Sequence, residues 1–354
     1  MMENRRRIDL LAEKHSLPFA EWKEIFSTWT QSDRLYAADL AREAAQKVFS
    51  NKVYVRAIVE FSNICANDCL YCGIRRSNKE ADRYRLTQEE ILSCCTKAYH
   101  EGFRTFVLQS GEDAFYTKDD SLVRIVRSIR KEFPDCAITL SVGELTYQQY
   151  QALFDAGADR YLLRHESADE EYYNFLHGGK LSWKKRIQCL HDLKKTGFQT
   201  GCGFMVQSPR QTPEILAKEM IFMKELSPEM IGIGPFIPHC KTPFAAEKPG
   251  SLELTLFLLS LCRLMKPTVL LPATTALGTI HPEGRLLGIL AGANVIMPCV
   301  TPETVRNKYF LYNNKNALAS AENILCSDLQ LQLEKIGYSL AVGRGDYREE
   351  EDQP

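Results

Sequence analysis

The chain has 354 residues, of which 45% are apolar and 25% are charged, and these proportions exclude a disordered or fibrous protein. Its 44 basic and 45 acidic residues give a formal net charge of -1, which excludes a strong overall attraction to nucleic acid or to an anionic membrane. The sequence has no signal-peptide pattern and no run of about 18 apolar residues, so it predicts a cytoplasmic protein with small partners.

Residues 1–50 form a predicted helical extension, because apolar residues recur at helical spacing over 8–15 and 32–49. From residue 53 onward, short β-rich runs alternate with longer amphipathic stretches, which is typical of repeated βα units. The predicted strands are 53–62, 105–109, 137–141, 160–163, 200–205, 230–234, 269–272 and 294–297.

Predicted helices occupy the segments between these strands. They cover 87–101, 121–133, 146–156, 183–196, 212–226, 252–265 and 284–291. Eight alternations over roughly 250 residues favour an α/β fold with a closed (β/α)8 barrel of the TIM type, and a six-unit partial barrel is the alternative. We place the barrel at 51–312 and expect residues 313–354 to form a final helix, 318–336, and a charged tail.

The most informative motif follows the first predicted strand, where Cys65, Cys69 and Cys72 have the spacing C-x3-C-x2-C. Three thiolates on so short a loop suit three corners of one iron-sulfur cubane, whereas a structural zinc ion would need a fourth ligand nearby. One iron is then open to bind another molecule. The other nine of the twelve cysteines are scattered without ligand spacing, and we expect most of them to be buried as small apolar residues.

Polar residues at the ends of two other predicted strands suggest a site for a small ligand. After the second strand, Gly111 permits close approach of the backbone, and the carboxylate of Glu112 suits an ammonium group. After the fourth strand, Arg164 suits a carboxylate and Glu166 suits ribose hydroxyls. Arg186, on the following helix, is a second candidate for binding a carboxylate.

Hydroxyl groups end two further strands: Ser141 ends the third, and Thr274 and Thr275 end the seventh. Together they predict a polar floor that holds an anionic or amino-acid-like substrate. Capping of local turns explains each hydroxyl equally well when it is considered alone.

The cysteine spacing, with Tyr71 before the third cysteine, resembles the radical S-adenosylmethionine (SAM) superfamily. Longer strings resemble the HydE family of FeFe-hydrogenase maturases, in the group that also holds biotin synthase and methylornithine synthase. The resemblance covers roughly residues 50–300 and rests on VRAIVEFSN at 55–63, RYR at 83–85, VLQSGED at 107–113, DRYLLRHE at 159–166, GIGPFIPH at 232–239, PATT at 272–275 and GANVIMP at 292–298.

This resemblance implies a barrel with one oxygen-sensitive 4Fe-4S cluster whose open iron is chelated by SAM. One electron from the cluster then cleaves SAM to methionine and a 5′-deoxyadenosyl radical, in the assembly of the diiron subcluster of FeFe-hydrogenase. The implied substrate is a cysteine-bound iron carbonyl cyanide unit from a partner maturase, and an electron donor is a further partner. The implied positions are Cys65, Cys69 and Cys72 for the cluster, Gly111, Glu112, Arg164, Glu166 and Arg186 for SAM, and Ser141, Thr274 and Thr275 for the substrate.

The sequence departs from the family pattern near its C-terminus. Some members carry a second Fe-S cluster on three cysteines there, but here only Cys326 remains, and Asn323 stands three residues before it. We therefore expect no second cluster. Two other functions stay open: a different radical SAM reaction on a small amino-acid-like substrate, as in methylornithine synthase or biotin synthase, and a non-catalytic Fe-S carrier.

Overall fold

A computed structural model describes residues 2–315 and 328–348 of the chain. The helices are α1 Met2–Lys14, α2 Phe19–Thr28, α3 Gln31–Phe49, α4 Gln88–His100, α5 Ala114–Thr117, α6 Ser121–Glu132, α7 Tyr147–Asp155, α8 Glu170–His177, α9 Trp183–Thr196, α10 Pro213–Leu226, α11 Leu252–Met265, α12 Thr275–Ile280, α13 Gly284–Leu290, α14 Glu303–Arg306 and α15 Asp328–Lys335. The strands are β1 Lys52–Val55, β2 Ala57–Ser62, β3 Thr105–Ser110, β4 Ala137–Ser141, β5 Arg160–Leu162, β6 Gln199–Cys202, β7 Met205–Val206, β8 Met230–Ile231, β9 Gly234–Pro235, β10 Val295–Ile296 and β11 Ser339–Ala341.

The predicted N-terminal helical extension is confirmed as α1, α2 and α3. Helix α3 begins with a capping box, in which the Thr30 hydroxyl accepts a hydrogen bond from Asp33 N (3.3 Å) and the Asp33 carboxylate accepts one from Thr30 N (2.9 Å). The buried side chains of Trp22 and Ile25 lie on α2, which packs against α10, while α3 packs against α11. The extension is therefore joined to the outer helices of the α/β domain.

A parallel sheet of six strands forms the centre of the fold, in the order β2, β3, β4, β5, β6, β8. Side chains alternate across it as strand geometry requires. Phe106 of β3 points outward and stacks edge-on against Phe133, which follows α6, with ring centroids 5.3 Å apart.

Regular strand pairing does not close the barrel, which corrects the prediction of eight full strands. Single parallel bridges continue the circuit, joining Met230 to Leu270, Pro272 to Val295, and Ile58 to Cys299. The predicted strand 269–272 contributes only such bridges, because Pro272 has no N–H to donate to a ladder.

The predicted first strand, 53–62, is divided at Arg56. Its first part, β1, pairs with β10 and β11 in a separate three-stranded sheet, whereas β2 pairs with β3. Of the predicted C-terminal helix, the described part contains only α15, and residues 318–327 lie outside the described residues. None of the described helices combines the length and apolarity needed to cross a bilayer.

The segment after β11 closes the amino-terminal end of the barrel. The fully buried Arg160 of β5 donates hydrogen bonds to Arg344 O (2.8 Å) and to the Asp346 carboxylate (2.5 Å). Arg344 in turn donates to Asp346 (2.7 Å) and to Asp159 (2.7 Å). An ionic network therefore seals the end of the barrel opposite the carboxyl ends of the strands.

Replacing Asp346 by Asn should lower the free energy of unfolding at neutral pH by about 2 kcal/mol, because buried Arg160 loses its carboxylate partner. Burial acts to raise the pKa of Asp346, but Arg344 and Arg160 hold this pKa below its usual value. Such a group stabilises the fold above its unfolded pKa of about 4 and loses that contribution as the pH falls through the folded value. The difference between wild type and variant, measured by urea unfolding, should therefore shrink in acid.

The matched control is Asp119→Asn, because Asp119 and Arg124 form an exposed pair 3.9 Å apart. We expect a change of at most about 0.5 kcal/mol in the control. Equal losses in the two variants would contradict the structural role of the Asp346 network.

Candidate active site

The three motif cysteines lie on a partly buried loop that follows β2 at the carboxyl edge of the sheet. Three backbone hydrogen bonds fix this loop to other parts of the barrel mouth. They run from Ala66 N to Glu112 O (3.0 Å), from Leu70 N to Leu176 O (3.0 Å) and from Gly73 N to Leu311 O (2.8 Å). The loop is thus held against the turn after β3, the end of α8 and the segment after α14.

Two charged side chains shape the cysteine loop from within. The Arg83 guanidinium donates hydrogen bonds to four backbone carbonyls on either side of the cysteines, those of Asn63 (2.6 Å), Ile74 (2.8 Å), Arg75 (2.8 Å) and Asn78 (3.1 Å). The buried Asp68 carboxylate accepts from Arg75 Nε (2.8 Å) and Ser77 N (3.0 Å). Although burial acts to raise the pKa of Asp68, these donors hold it well below the usual value. Asp68 therefore stays ionised and keeps the loop folded.

The three motif cysteines are thiols that must lose their protons before they can bind a cluster. Burial raises the pKa of all three, that of Cys72 to about 12, and the neighbouring cysteines add to the shift for Cys69 and Cys72. Bringing three such thiolates together needs a cationic partner that bonds to each of them. Among residues 2–315 and 328–348, no three Cys, His, Asp or Glu side chains converge as ligands of a single metal ion. The C-x3-C-x2-C spacing of the three cysteines fits a cubane, in which each thiolate bonds to a separate iron.

The turn after β3 approaches the cysteine loop closely at Gly111. A Cβ atom on residue 111 would lie 2.3 Å from Ile64 O and 2.8 Å from Cys65 Cβ, so only glycine fits. Glu112 follows, and its Oε1 accepts a hydrogen bond from Glu144 N (3.2 Å). Burial raises the pKa of the Glu112 carboxyl, and the charge of Arg186 acts against this shift.

Arg186 lies between two carboxylates at the mouth. Its Nε donates to Glu144 Oε1 (2.8 Å), one of its terminal nitrogens donates to Arg164 O (2.7 Å), and the other lies 3.8 Å from Glu112 Oε1. The structure therefore brings together Glu112, Arg164 and Arg186 among the predicted residues. It also adds Glu144, which the sequence analysis missed because an isolated Glu in a loop gives no signal of its own.

Two buried oxygen atoms near Arg186 have no hydrogen-bond partner among the described residues. One is Oε2 of Glu166, which is 8% exposed, and the other is the hydroxyl of fully buried Tyr173 on α8. Unpaired buried polar atoms are rare and indicate a missing ligand or water. Burial raises the pKa of Glu166, while the charges of Arg164 and Arg186 oppose this shift.

Tyr173 adjoins the cysteine loop through a short chain of contacts. Its ring lies 4.0 Å from that of His177, whose Nδ1 donates to Tyr173 O (2.7 Å) and whose Nε2 accepts from the Tyr71 hydroxyl (3.2 Å). Burial and the charge of Arg186 lower the pKa of His177 to about 4, which agrees with a neutral ring in these two bonds. The sequence gives no signal for Tyr173, because its spacing on α8 is that of an ordinary core residue.

The predicted substrate residues lie at carboxyl ends of strands on opposite sides of the strand order. Ser141 ends β4, whereas Thr274 and Thr275 stand at the start of α12. The Thr274 hydroxyl is buried and lacks a partner among the described residues. Thr275 lines a cavity of about 140 Å³ together with Glu60, Arg285, Cys299 and Lys315. No contact between Ser141 and the two threonines defines a single floor.

The polar residues of this cavity were not predicted from the sequence. Lys315 forms an ion pair with Glu60, and Cys299 Sγ lies 3.6 Å from the same carboxylate. Burial and the Glu60 charge raise the pKa of Cys299 to about 11, so it is a thiol at neutral pH. Cys326 and Asn323, on which the expectation about a second cluster rests, lie outside the described residues.

Comparison with known proteins agrees with this geometry. A sequence model of the Radical SAM superfamily matches residues 59–221, which include the cysteine loop and reach into α10. The FeFe hydrogenase maturase subunit HydE of Thermotoga maritima is 44% identical over 298 residues, 84% of each chain. The chain belongs to the HydE family of radical SAM enzymes. The resemblance stated from the sequence is thereby confirmed, and membership implies a 4Fe-4S cluster and SAM.

Other relatives of this HydE-family chain share its architecture. The 3-methylornithine synthase of Methanosarcina barkeri is 29% identical over 273 residues, 77% of this chain and 76% of that protein. The crystal structure of methylornithine synthase (PylB) superposes with a TM-score of 0.83 at 25% identity and covers 95% of this chain and 97% of its own. HydG, a maturase of the FeFe-hydrogenase, has a TM-score of 0.78 at 18% identity, covering 96% of this chain and 76% of its own, and shows the same fold.

Replacing Tyr173 by Phe should weaken the binding of SAM about three- to tenfold, because the variant removes a buried, unpaired donor close to Arg186 and Glu166. The free energy of unfolding without SAM should not fall, since the hydroxyl has no described partner to lose. Equilibrium dialysis with SAM and urea unfolding measure the two quantities.

Tyr150→Phe is the matched control, because the Tyr150 hydroxyl accepts a hydrogen bond from Leu145 N (3.0 Å). This variant should lose stability and keep its affinity for SAM. If Tyr173→Phe behaves like the control, Tyr173 is a core residue and does not contact the ligand.

Proposed function

We propose that this chain uses one 4Fe-4S cluster and SAM in the assembly of the diiron subcluster of FeFe-hydrogenase. The observation that carries the proposal is the meeting of three thiols with the Glu112 turn, Arg186 and the unpaired Glu166 oxygen at one barrel mouth. The 44% identity to a HydE maturase over 84% of both chains supports the choice of reaction.

The proposed residues either hold the cluster or bind SAM. Cys65, Cys69 and Cys72 hold the cluster, and their protons leave when it binds, because thiolates are the ligands. Gly111 brings backbone close to the cluster, and the Glu112 carboxylate accepts from the SAM ammonium group. Arg186, with Arg164, supplies positive charge for the SAM carboxylate, while Glu166 accepts from ribose hydroxyls.

A cluster held by Cys65, Cys69 and Cys72 would supply the one electron needed to cleave SAM to methionine and a 5′-deoxyadenosyl radical. The chain contributes orientation and the exclusion of solvent. Glu144 holds Arg186 Nε (2.8 Å), so this guanidinium is fixed before any ligand arrives. The network around Arg160 closes the far end of the barrel, which limits the access of water to the interior.

The substrate is proposed to be a small iron complex that enters the barrel and meets hydroxyl groups. Ser141, Thr274 and Thr275 are its proposed contacts, and the unpaired Thr274 hydroxyl supports this choice. The proposed partners are the other hydrogenase maturases and an electron donor. We also propose that the chain carries no second Fe-S cluster, on the grounds of the single remaining Cys326.

A second radical SAM reaction, formation of methylornithine, is the alternative that a specific observation favours. The methylornithine synthase structure superposes over 95% of this chain with a TM-score of 0.83. Reaction type depends on the substrate cavity rather than on the fold. Lining residues such as Glu60, Arg285 and Cys299 therefore decide between the two reactions.

Replacing Cys69 by Ala should abolish cluster binding and SAM cleavage, because the two remaining thiolates cannot hold the cubane. Iron and sulfide content after anaerobic reconstitution and the yield of 5′-deoxyadenosine measure the effect. The variant should stay folded, as judged by circular dichroism, since Cys69 is only partly buried.

Cys240→Ala is the control, because this cysteine is exposed and outside the motif. It should retain the full cluster and SAM cleavage. Cleavage by the Cys69 variant would show that the cluster is placed wrongly. An intact, reducible cluster in wild type without any cleavage would favour the Fe-S carrier.

An in vitro maturation reaction tests the proposed role in the pathway. The reconstituted protein, together with the other two maturases, should activate hydrogenase that lacks its diiron subcluster, and Cys69→Ala should not. Hydrogen evolution measures the outcome. Activation that is equally high without this chain, or accumulation of 3-methylornithine in its place, would contradict the proposal.

A further inference from the structure

Glu166 occupies an unusual backbone position. Its φ is +61°, in the left-handed region that residues other than glycine seldom adopt. Ser167 N donates a hydrogen bond to His165 O (2.8 Å), which closes a three-residue turn with Glu166 at its centre. Such a turn persists only where its surroundings hold it.

One carboxylate holds the residues on either side of Glu166. Glu219, on α10, is fully buried, and its two oxygens accept three hydrogen bonds. Oε2 accepts from His165 Nε2 (2.8 Å) and Ala168 N (2.8 Å), and Oε1 accepts from the Ser167 hydroxyl (2.7 Å). Glu219 lies among the buried residues of α10, so its charge has no solvent to interact with and depends on these donors.

The bonding of His165 determines where its proton lies. Gly203 N donates to His165 Nδ1 (3.1 Å), so Nδ1 carries a lone pair and Nε2 carries the hydrogen that Glu219 accepts. Gly203 O in turn accepts from Glu166 N (3.1 Å). A Cβ on residue 203, whose φ is +151°, would lie 2.2 Å from Gly232 O, so only glycine brings this backbone close enough. Gly203 therefore holds both the backbone N–H of Glu166 and the ring of the neighbouring His165.

We propose that Glu219 and His165 act as positioning residues, which hold the strained turn so that the Glu166 carboxylate faces bound SAM. The inference rests on the proposed role of Glu166. Without Glu219, the turn relaxes towards ordinary backbone angles, and the carboxylate leaves its site. Neither Glu219 nor His165 touches SAM in this account.

The first test measures the Kd of SAM by equilibrium dialysis on reconstituted protein with an oxidised cluster, where no turnover occurs. Glu219→Ala should raise this Kd about tenfold, the scale of losing one hydrogen bond to a charged group. Glu219→Gln should restore the Kd to within about threefold of wild type. Its amide oxygen can accept from His165 and Ala168, while the Ser167 hydroxyl can turn to accept from its NH2 group. A Gln variant as weak as the Ala variant would contradict positioning through hydrogen bonds.

Lys218→Met is the matched control. Lys218 neighbours Glu219 on α10 and also bonds to the segment after Glu166, through Asp169 Oδ2 (2.6 Å), but its side chain is only partly buried. The control should keep the wild-type Kd. If all three variants bind SAM as wild type does and Glu219→Ala only lowers the free energy of unfolding, Glu219 is purely structural.

A double-variant cycle separates this inference from the proposed function. If Glu219 acts through Glu166, Glu166→Ala and the double variant Glu166→Ala/Glu219→Ala should bind SAM equally weakly. Additive losses would overturn the inference. An unchanged Kd in Glu166→Ala alone would instead remove the proposed role of Glu166, whereas a raised Kd there with no effect of Glu219→Ala would reject only the positioning role.

The protonation of His165 gives a readout that does not depend on SAM. In protein labelled with 15N-histidine, His165 should show the neutral form with hydrogen on Nε2, assigned by loss of its signals in His165→Gln. Hydrogen on Nδ1 would contradict the bond from Gly203 N. Faster amide exchange at Ala168 in Glu219→Ala, but not in Lys218→Met, should accompany the weaker binding.

Discussion

The barrel mouth depends on one loop that carries three partly buried thiols. Burial and the charges of neighbouring cysteines raise the pKa of Cys69 and Cys72. The thiolates that a cluster needs therefore repel one another. The backbone must therefore be fixed from outside. Arg83 and Asp68 do this within the loop, and hydrogen bonds to the turn after β3, to α8 and to the segment after α14 connect it to the residues proposed for SAM. The cluster and SAM sites consequently share one scaffold.

Both ends of the barrel hold buried polar groups, and some at each end lack a partner, Arg56 Nε among them at the amino-terminal end. At the amino-terminal end, the buried guanidinium of Arg160 finds a carbonyl and a carboxylate in the segment after β11. At the carboxyl end, oxygen atoms of Glu166, Tyr173 and Thr274 are buried without a described partner. Satisfied polar groups stabilise a fold, whereas unsatisfied ones are costly unless a ligand completes them. The unpaired oxygens at the carboxyl end lie where ligands bind in this barrel architecture.

Local patterns in the sequence predicted the cysteine loop, the α/β alternation and the N-terminal helices, because spacing and periodicity carry that information. Long-range pairing was less accessible. The first strand is divided at Arg56 because its first part pairs with residues 295–296 and 339–341, which are distant in the sequence. The barrel is not closed by regular strand pairing because the segment that contains Pro272 forms only single bridges to its neighbours. Glu144, Tyr173 and Glu219 were missed for a related reason: each is a single residue whose importance comes from distant partners. A Glu on the buried face of α10 was the only local signal for Glu219.

The most direct test of the central claim is electron-nuclear double resonance on the reduced protein with SAM carrying 15N in its amino group and 17O in its carboxylate. The account predicts that both labels couple to the cluster in wild type, since three cysteines leave one iron for SAM. It also predicts loss of both couplings in Cys69→Ala. Absence of coupling from wild type that is saturated with SAM and carries a reduced cluster would contradict the account, because SAM would then bind away from the open iron.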